Sequence, residues 1–277
     1  MRLATSRRKY KGQTAKDGFS LLMITHNRSA FLKLSLEAII QNTAGDYEII
    51  VLDNASTDDT TATVTGVKKQ FPQAKIKYIK SDFNYGTNGY ALAFLESEYN
   101  FIVDFDDDIL AIQRHWDNDV RRAFAEVDNL AFLALDVIQD QYTEGAKPEM
   151  HNYRMHTVKN TTVQIGPTGG WFAVTTRQRY YELGGFIFLP NKPFRLEDGD
   201  FVRKGNKRGL ISAILSGTFV YHASGPIWNA KGKYHHVWKQ KYGVDFSQET
   251  VNMVDAVKHE ELPEFDVPQK AIALKNR

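Results

Sequence analysis

The sequence predicts an α/β chain built on a mostly parallel sheet, and three observations carry that prediction. Compact apolar runs alternate with helix-spaced segments through residues 19–106. Each run ends in polar residues at its C-terminal tip. The links between runs are long enough to be crossovers, which parallel strands need and hairpins do not.

FSLLMIT (Phe19–Thr25) reads as a buried strand. In the SAFLKLSLEAIIQNT that follows, Phe31, Leu34, Ala38 and Ile39 recur at helical spacing, with Ser29 as the expected N-cap. YEIIVLD (Tyr47–Asp53) is the second strand, and NASTDDT turns the chain into a helix from about Asp58 to Gln70. KIKYIK is the third strand, and NYGTNGYALAFLES a glycine-punctuated loop with a short helix. NFIVDF is the fourth strand. Right-handed βαβ units follow, and ligands of such sheets bind beyond the carboxyl ends of the strands. Those ends carry Thr25–Asn27, Asp53–Asn54, the Asn84–Gly89 loop and four aspartates, Asp104, Asp106, Asp107 and Asp108. Four polar tips on one edge make one site.

The second half is less regular. HWDNDVRRAFAEV reads as a helix and LAFLALDVI as a strand, while YRMHTV and TTVQI alternate in the antiparallel manner. GPTGGWFAVTT is a glycine turn entering a strand, RQRYYELGGF a helix stopped by Gly184–Gly185, and GTFVYHASG a last strand ending at His222.

The chain has 277 residues, 42% of them apolar, enough for one large core or two closely joined lobes. Its formal charge is +2, with 35 basic and 33 acidic residues. Residues 1–16 hold six Lys/Arg and no acid, so a basic arm precedes a mildly acidic body. That arm is read as a solvated terminus, or as a contact for anionic lipid or an anionic glycan. The body shows no nucleic-acid signature. No apolar run approaches the roughly 20 residues a membrane helix needs, and no signal peptide is evident. Cysteine is absent, so disulfides and thiolate metal sites are excluded; a reducing cytoplasm suits that composition.

Adjacent carboxylates repel, so the string FIVDFDDDIL implies a bound cation. VDFDDDIL is similar to the apolar-DxDGTL signature of haloacid-dehalogenase-type phosphatases, with Asp104 as nucleophile and Asp106 as acid. Here, however, Asp107-Asp108 replaces the family's Gly-Thr, and the motif ends the fourth strand instead of the first. A calcium loop lacks its glycine and glutamate.

A second resemblance spans residues 19–242. LLMITHNR, EIIVLDNASTDDT, the loop at Asn84–Gly86, FIVDFDDD, GGWFAVTTRQRYYELGGF and LEDGDF, closed by FVYH, resemble the GT-A fold of the family 2 inverting glycosyltransferases. That resemblance implies a Rossmann-like, mostly parallel sheet flanked by helices, a small antiparallel sheet on the acceptor side and a C-terminal helical extension. It divides the chain into a basic arm (1–18), a nucleotide-sugar half (19–115), an acceptor half (116–228) and the extension (229–277).

By the same resemblance, Asp106 faces the ribose and metal waters, Asp108 ligates Mn²⁺ or Mg²⁺, and Asp107 lies between them or holds the turn. His222 ligates the metal or touches the diphosphate. Asp53 accepts from the N3–H of uracil, or else caps the start of the following helix. Thr25, His26 and Asn27 wrap the base, and Arg28 pairs with phosphate or with Asp53. Asn84 and Gly86 lie near base and ribose. Asp198 is the general base, with Glu197 positioning the acceptor or tuning it and Asp200 capping the helix. Gly169, Gly170 and Trp171 line the acceptor pocket, unless Trp171 is plain core. Asp104 is expected to hydrogen-bond a neighbouring loop. His235, His236 and Trp238 are expected to help close the acceptor side or simply to pack the C-terminal segment over it.

The implied reaction moves a sugar from a UDP-sugar, or less readily a dTDP-sugar, to a hydroxyl of a carbohydrate or lipid-linked acceptor. The rivals are a non-catalytic binding homologue and the phosphatase. Sugar, acceptor and oligomeric state are not legible in the sequence.

Overall fold

The structure is a computed structural model that describes residues 15–138, 147–188 and 197–222. Most of the basic arm, the C-terminal extension and His235, His236 and Trp238 lie outside the described residues.

Among the described residues ten strands form one sheet: β1 (Lys16–Thr25), β2 (Tyr47–Asp53), β3 (Ile76–Lys80), β4 (Tyr99–Asp106), β5 (Ile109–Ile112), β6 (Leu130–Val137), β7 (Arg154–Val158), β8 (Thr161–Ile165), β9 (Phe172–Thr176) and β10 (Ile211–His222). The order is β3-β2-β1-β4-β9-β6-β10-β8-β7, with β5 pairing β10. β1 runs parallel to β2 and β4, β2 to β3, and β6 to β10. β9 is antiparallel to both β4 and β6, so those two strands point the same way. Thr25, Asp53, Asp106, Val137 and His222 therefore finish at one edge. The expected antiparallel pair, β7 and β8, continues this sheet through β10 and does not form a sheet of its own.

Among the described residues six α-helices accompany the strands: α1 (Ser29–Asn42), α2 (Thr60–Gln70), α3 (Gly89–Ala93), α4 (Trp116–Glu126), α5 (Arg177–Glu182) and α6 (Glu197–Asn206). α1 buries Phe31, Leu32, Leu36, Ile39 and Ile40, the stripe that helical periodicity demands. Ser29 is its first helical residue and not its cap. Arg28 holds the cap position without a side-chain bond, and the Ser29 amide donates to Asp58 Oδ2 at 3.0 Å from the next crossover. A single core spans both halves. Trp116 is fully buried, 5.0 Å from the Phe19 ring and 4.8 Å from the Phe172 ring.

Two elements differ from the sequence reading. β1 begins at Lys16, three residues early, so the end of the basic arm belongs to the sheet. Gly18, at φ 144°, permits the register shift there; a Cβ would sit 2.4 Å from the Tyr99 ring. β5 directly follows the aspartates and pairs with a distant strand, β10, through Val220 and Ile112. Four residues carry too little periodicity to announce it.

Candidate active site

The acidic turn Asp106–Asp107–Asp108 leaves the tip of β4 between two loops. Thr25, ending β1, donates its hydroxyl to Asp107 Oδ2 at 2.7 Å. Arg28 places Nη1 2.8 Å from Asp107 Oδ1 and Nη2 2.5 Å from Asp108 Oδ2. Arg28 thus pairs with the acidic turn and not with Asp53. Asp107 is buried and held by both partners, which matches the turn-holding reading. From β10, His222 Nε2 lies 3.0 Å from Asp108 Oδ1 and 3.1 Å from Asp106 Oδ2. Tyr90, on α3, donates to Asp106 Oδ1 at 3.2 Å.

These contacts set the charges. Burial would raise the Asp108 carboxyl, but the charges of Arg28 and His222 hold it well below the ordinary carboxylate range. Burial would lower His222, yet Asp108 and Asp106 outweigh it and bring the imidazole up to about 9. Asp107 is pushed up to about 6 by burial, against the pull of Arg28.

A divalent cation fits here. Asp106, Asp108 and His222 each offer one ligand atom, and these atoms lie within 4.8 Å of one another. Asp108 Oδ1 is buried against the His222 imidazole, so a cation entering here would take the place of the proton that His222 Nε2 carries between Asp106 and Asp108.

The acceptor-side group adjoins this cluster. The Asp106 amide donates to the Trp171 carbonyl at 3.0 Å, tying the glycine turn before β9 to the aspartates. Asp198, in the first turn of α6, accepts from the Gly170 amide at 2.8 Å and from the Gly199 amide at 2.6 Å. A Cβ on Gly170 would stand 2.9 Å from Asp104 Oδ2 and 3.3 Å from the Asp198 Cβ, so only glycine fits. Trp171 is 7% exposed and donates Nε1 to the Leu135 carbonyl at 2.9 Å, which is the packing alternative. Asp200, in the first turn of α6, is ion-paired with Arg203 and Lys204.

Asp104 departs from expectation. Both of its carboxylate oxygens are buried without a well-aligned hydrogen bond, where a loop partner was expected. Burial raises it well above the ordinary range, and the nearby Glu197 and Asp106 charges add to that. A carboxyl so enclosed cannot serve as the nucleophile of a phosphatase. Glu197 is likewise pushed up to about 8 by burial and by Asp198, and Asp198 itself is raised by burial.

A pH dependence follows for the metal-free chain. A carboxyl raised in the folded state contributes stability that is complete below its ordinary value and lost as pH rises through the raised one. For Glu197 that window runs from about 4.5 to about 8, and Asp104 and Asp198 shift in the same direction. Stability should therefore fall across this range, at up to about 1.4 kcal/mol per pH unit for each extra proton held. Urea unfolding at pH 5 and pH 8 measures it; equal or greater stability at pH 8 would contradict these raised carboxyls.

The base-side residues form the third group. His26 Nδ1 lies 2.7 Å from the Asn54 carbonyl oxygen. Asn27, at φ 54°, accepts from the Thr57 amide at 2.7 Å, and Asn84 accepts from the Gly86 amide at 2.9 Å. Asp53 is fully buried, accepting from the Ser56 amide at 2.7 Å and the Tyr78 hydroxyl at 2.6 Å. Asp53 thus holds the turn at Ser56, while the helix that follows starts at Thr60 with Asp59 in its cap position. A cavity of about 390 Å³ lies beneath the tip of β3, lined by Leu52, Ile79, Phe83, Tyr85, Leu92 and Leu95 among others; it contains none of the candidate residues. Tyr78, Tyr90 and Asp58 were missed from sequence, since their partners lie in other segments.

Known proteins give the same outline. The prophage glycosyltransferase SunS of Bacillus subtilis is 32% identical over 126 residues, which is 44% of this chain and 26% of that protein. Chondroitin synthase of Escherichia coli is 25% identical over 200 residues, 69% of this chain and 28% of the synthase. The chain therefore spans about a quarter of the length of these relatives. Among solved structures, a Pyrobaculum calidifontis mannosyltransferase in complex with GDP-Man and Mn²⁺ superposes with a TM-score of 0.60 at 15% identity, over 99% of this chain and 79% of that one. S. aureus TarS in complex with UDP superposes with a TM-score of 0.55 at 14% identity, over 88% and 70%. Both share the α/β fold with its mixed, mostly parallel sheet. Residues 20–186, more than half of the sequence, match the profile of Glycosyl transferase family 2, and the chain belongs to that family.

Proposed function

We propose that the chain is a metal-dependent inverting glycosyltransferase that moves a sugar from a nucleoside-diphosphate donor, a UDP-sugar first and a dTDP-sugar second, to a hydroxyl of a carbohydrate or lipid-linked acceptor. The observation that carries this reading is the convergence of Asp106, Asp108 and His222 beside Asp198, the acid fixed by the amides of Gly170 and Gly199. Mn²⁺ or Mg²⁺ bound by the first three would neutralise the diphosphate as it leaves.

The chain's own groups supply the remainder. Asp198 takes the acceptor's hydroxyl proton while that oxygen bonds to the anomeric carbon and the bond to the diphosphate oxygen breaks. Its carboxyl is raised by burial, which strengthens it as a base. Glu197, raised to about 8, holds a proton at neutral pH, so the pair carries one negative charge and can donate one hydrogen bond to the acceptor. A single displacement inverts the anomeric centre. At the base side, the remaining lone pair of Asp53 Oδ2 would serve an imide N–H once the turn that covers this fully buried carboxylate opens.

Similar structures carry GDP-Man in one case and UDP in another, so the fold alone does not choose the base. A thermal-shift panel of UDP-, dTDP- and GDP-sugars with Mn²⁺ or EDTA decides it. A ligand at 100 times its Kd stabilises by about 2.7 kcal/mol, several degrees in Tm for a chain of this size. A rise with UDP-sugars that EDTA abolishes is expected. No response to any nucleotide would refute the donor assignment, and a response to GDP-mannose alone would refute the base.

A further inference from the structure

Arg28 reaches from the β1–α1 loop to an acidic turn eighty positions away in sequence. Its two terminal nitrogens contact different residues, Nη1 Asp107 at 2.8 Å and Nη2 Asp108 at 2.5 Å. The guanidinium lies 5.0 Å from the centre of the Phe31 ring, the third residue of α1, which limits its swing. Each acid keeps one oxygen outside this fork: Asp107 Oδ2 accepts from Thr25, and Asp108 Oδ1 faces His222 at 3.0 Å.

We infer that Arg28 is a positioning residue that holds Asp108 so that it meets the cation through Oδ1 alone. The inference rests on the cation site proposed above. With Oδ2 engaged by Nη2, the carboxylate cannot rotate to chelate, and Oδ1 stays within reach of Asp106 and His222. A planar fork can hold two neighbouring carboxylates at fixed angles, and a lysine ammonium, a point charge on a flexible stem, cannot. Small hard cations favour this presentation, taking single oxygens from separate carboxylates and filling the octahedron with water. Arg28 therefore couples the loop that would wrap the base to the turn that would hold the metal.

Arg28→Lys tests this because it keeps the charge and removes the fork. Mn²⁺ alone, without nucleotide, is titrated against the full chain and followed by the EPR signal of free and bound ion. Partners of metal ligands are typically worth 10- to 100-fold in metal affinity. Arg28→Lys should weaken Mn²⁺ by about tenfold or more and change the bound-ion spectrum, as Asp108 gains freedom to chelate. Should Arg28 serve only to contact phosphate, Arg28→Lys would bind Mn²⁺ within about twofold of the parent with an unchanged spectrum, and the inference would be overturned. Asp107→Ala removes one arm of the fork without changing Arg28 or Asp108. A smaller loss of the same kind is expected, and this variant decides the matter if Arg28→Lys does not fold. Parent and Asp108→Asn are run alongside. If the parent itself shows no specific Mn²⁺ site, the cation reading falls and this inference with it. If the parent binds, Asp108→Asn does not, and Arg28→Lys matches the parent, the role of Arg28 alone is refuted.

Discussion

Asp198→Asn should lower the rate of sugar transfer by about 10²- to 10⁴-fold, the usual worth of a positioned general base, while leaving donor affinity roughly unchanged. The asparagine fills the same space but cannot take a proton. The separation of effects follows from placement: Asp198 sits on α6 against the glycine turn, while the donor groups hang from β1, β2, β4 and β10. Asparagine is not silent here, because Asp198 accepts from two amides and asparagine offers one oxygen. One of those N–H groups would lose its partner, at a cost of about 1–3 kcal/mol. Thermal unfolding must therefore accompany the kinetics, with nucleotide titration as the control for the donor site. A folded variant that binds donor and turns over like the parent would place the base elsewhere. If the parent binds donor and transfers nothing to any acceptor, the non-catalytic homologue becomes the better reading.

The second large effect is on the cation. Asp108→Asn should reduce Mn²⁺-dependent UDP affinity by about 100-fold or more, exceeding what partners of metal ligands typically contribute. The choice of asparagine matters. Asp108 lies between Arg28 and His222, and truncation to alanine would leave two buried cationic groups without their shared anion. Breaking a buried pair in that way costs about 3–5 kcal/mol, so an alanine variant would confound folding with binding. Asparagine keeps the shape and one acceptor oxygen, but it too removes the shared anion and turns an N–H toward Arg28 or His222, so thermal unfolding must accompany the titration. Calorimetry of UDP with Mn²⁺ and with EDTA separates the outcomes: parent and variant should converge in EDTA and diverge in Mn²⁺. UDP affinity indifferent to the metal in the parent would remove the cation from the reaction.

The two halves of the site differ in how far the sequence exposes them. Asp106, Asp108 and Asp198 are legible because a strand tip followed by clustered acids, and an acidic pair opening a helix, have few structural uses. Gly170 is legible as a glycine, but its reason, the carboxylate of Asp104 against its Cα, is not. Trp171 carries the residue type of a sugar platform yet spends its indole N–H on the Leu135 carbonyl. Asp53 shows the same ambiguity: a carboxylate at a strand tip can read a base or hold a turn, and here it holds Ser56 and Tyr78.

Local periodicity and strand-tip chemistry, taken alone, determined the α/β class, the parallel first half and the shared edge on which the acids meet, because a βαβ crossover leaves little choice of direction. Only the tertiary structure decided that β7 and β8 extend the same sheet, that β5 exists, that Arg28 grips Asp107 and Asp108, and that Asp104 is enclosed without a partner. The division has a physical cause. Periodicity records which face of an element is buried, and it says nothing of which distant side chain will lie 3 Å from a given carboxylate; that distance is set when the whole core packs, over separations of 80 residues and more.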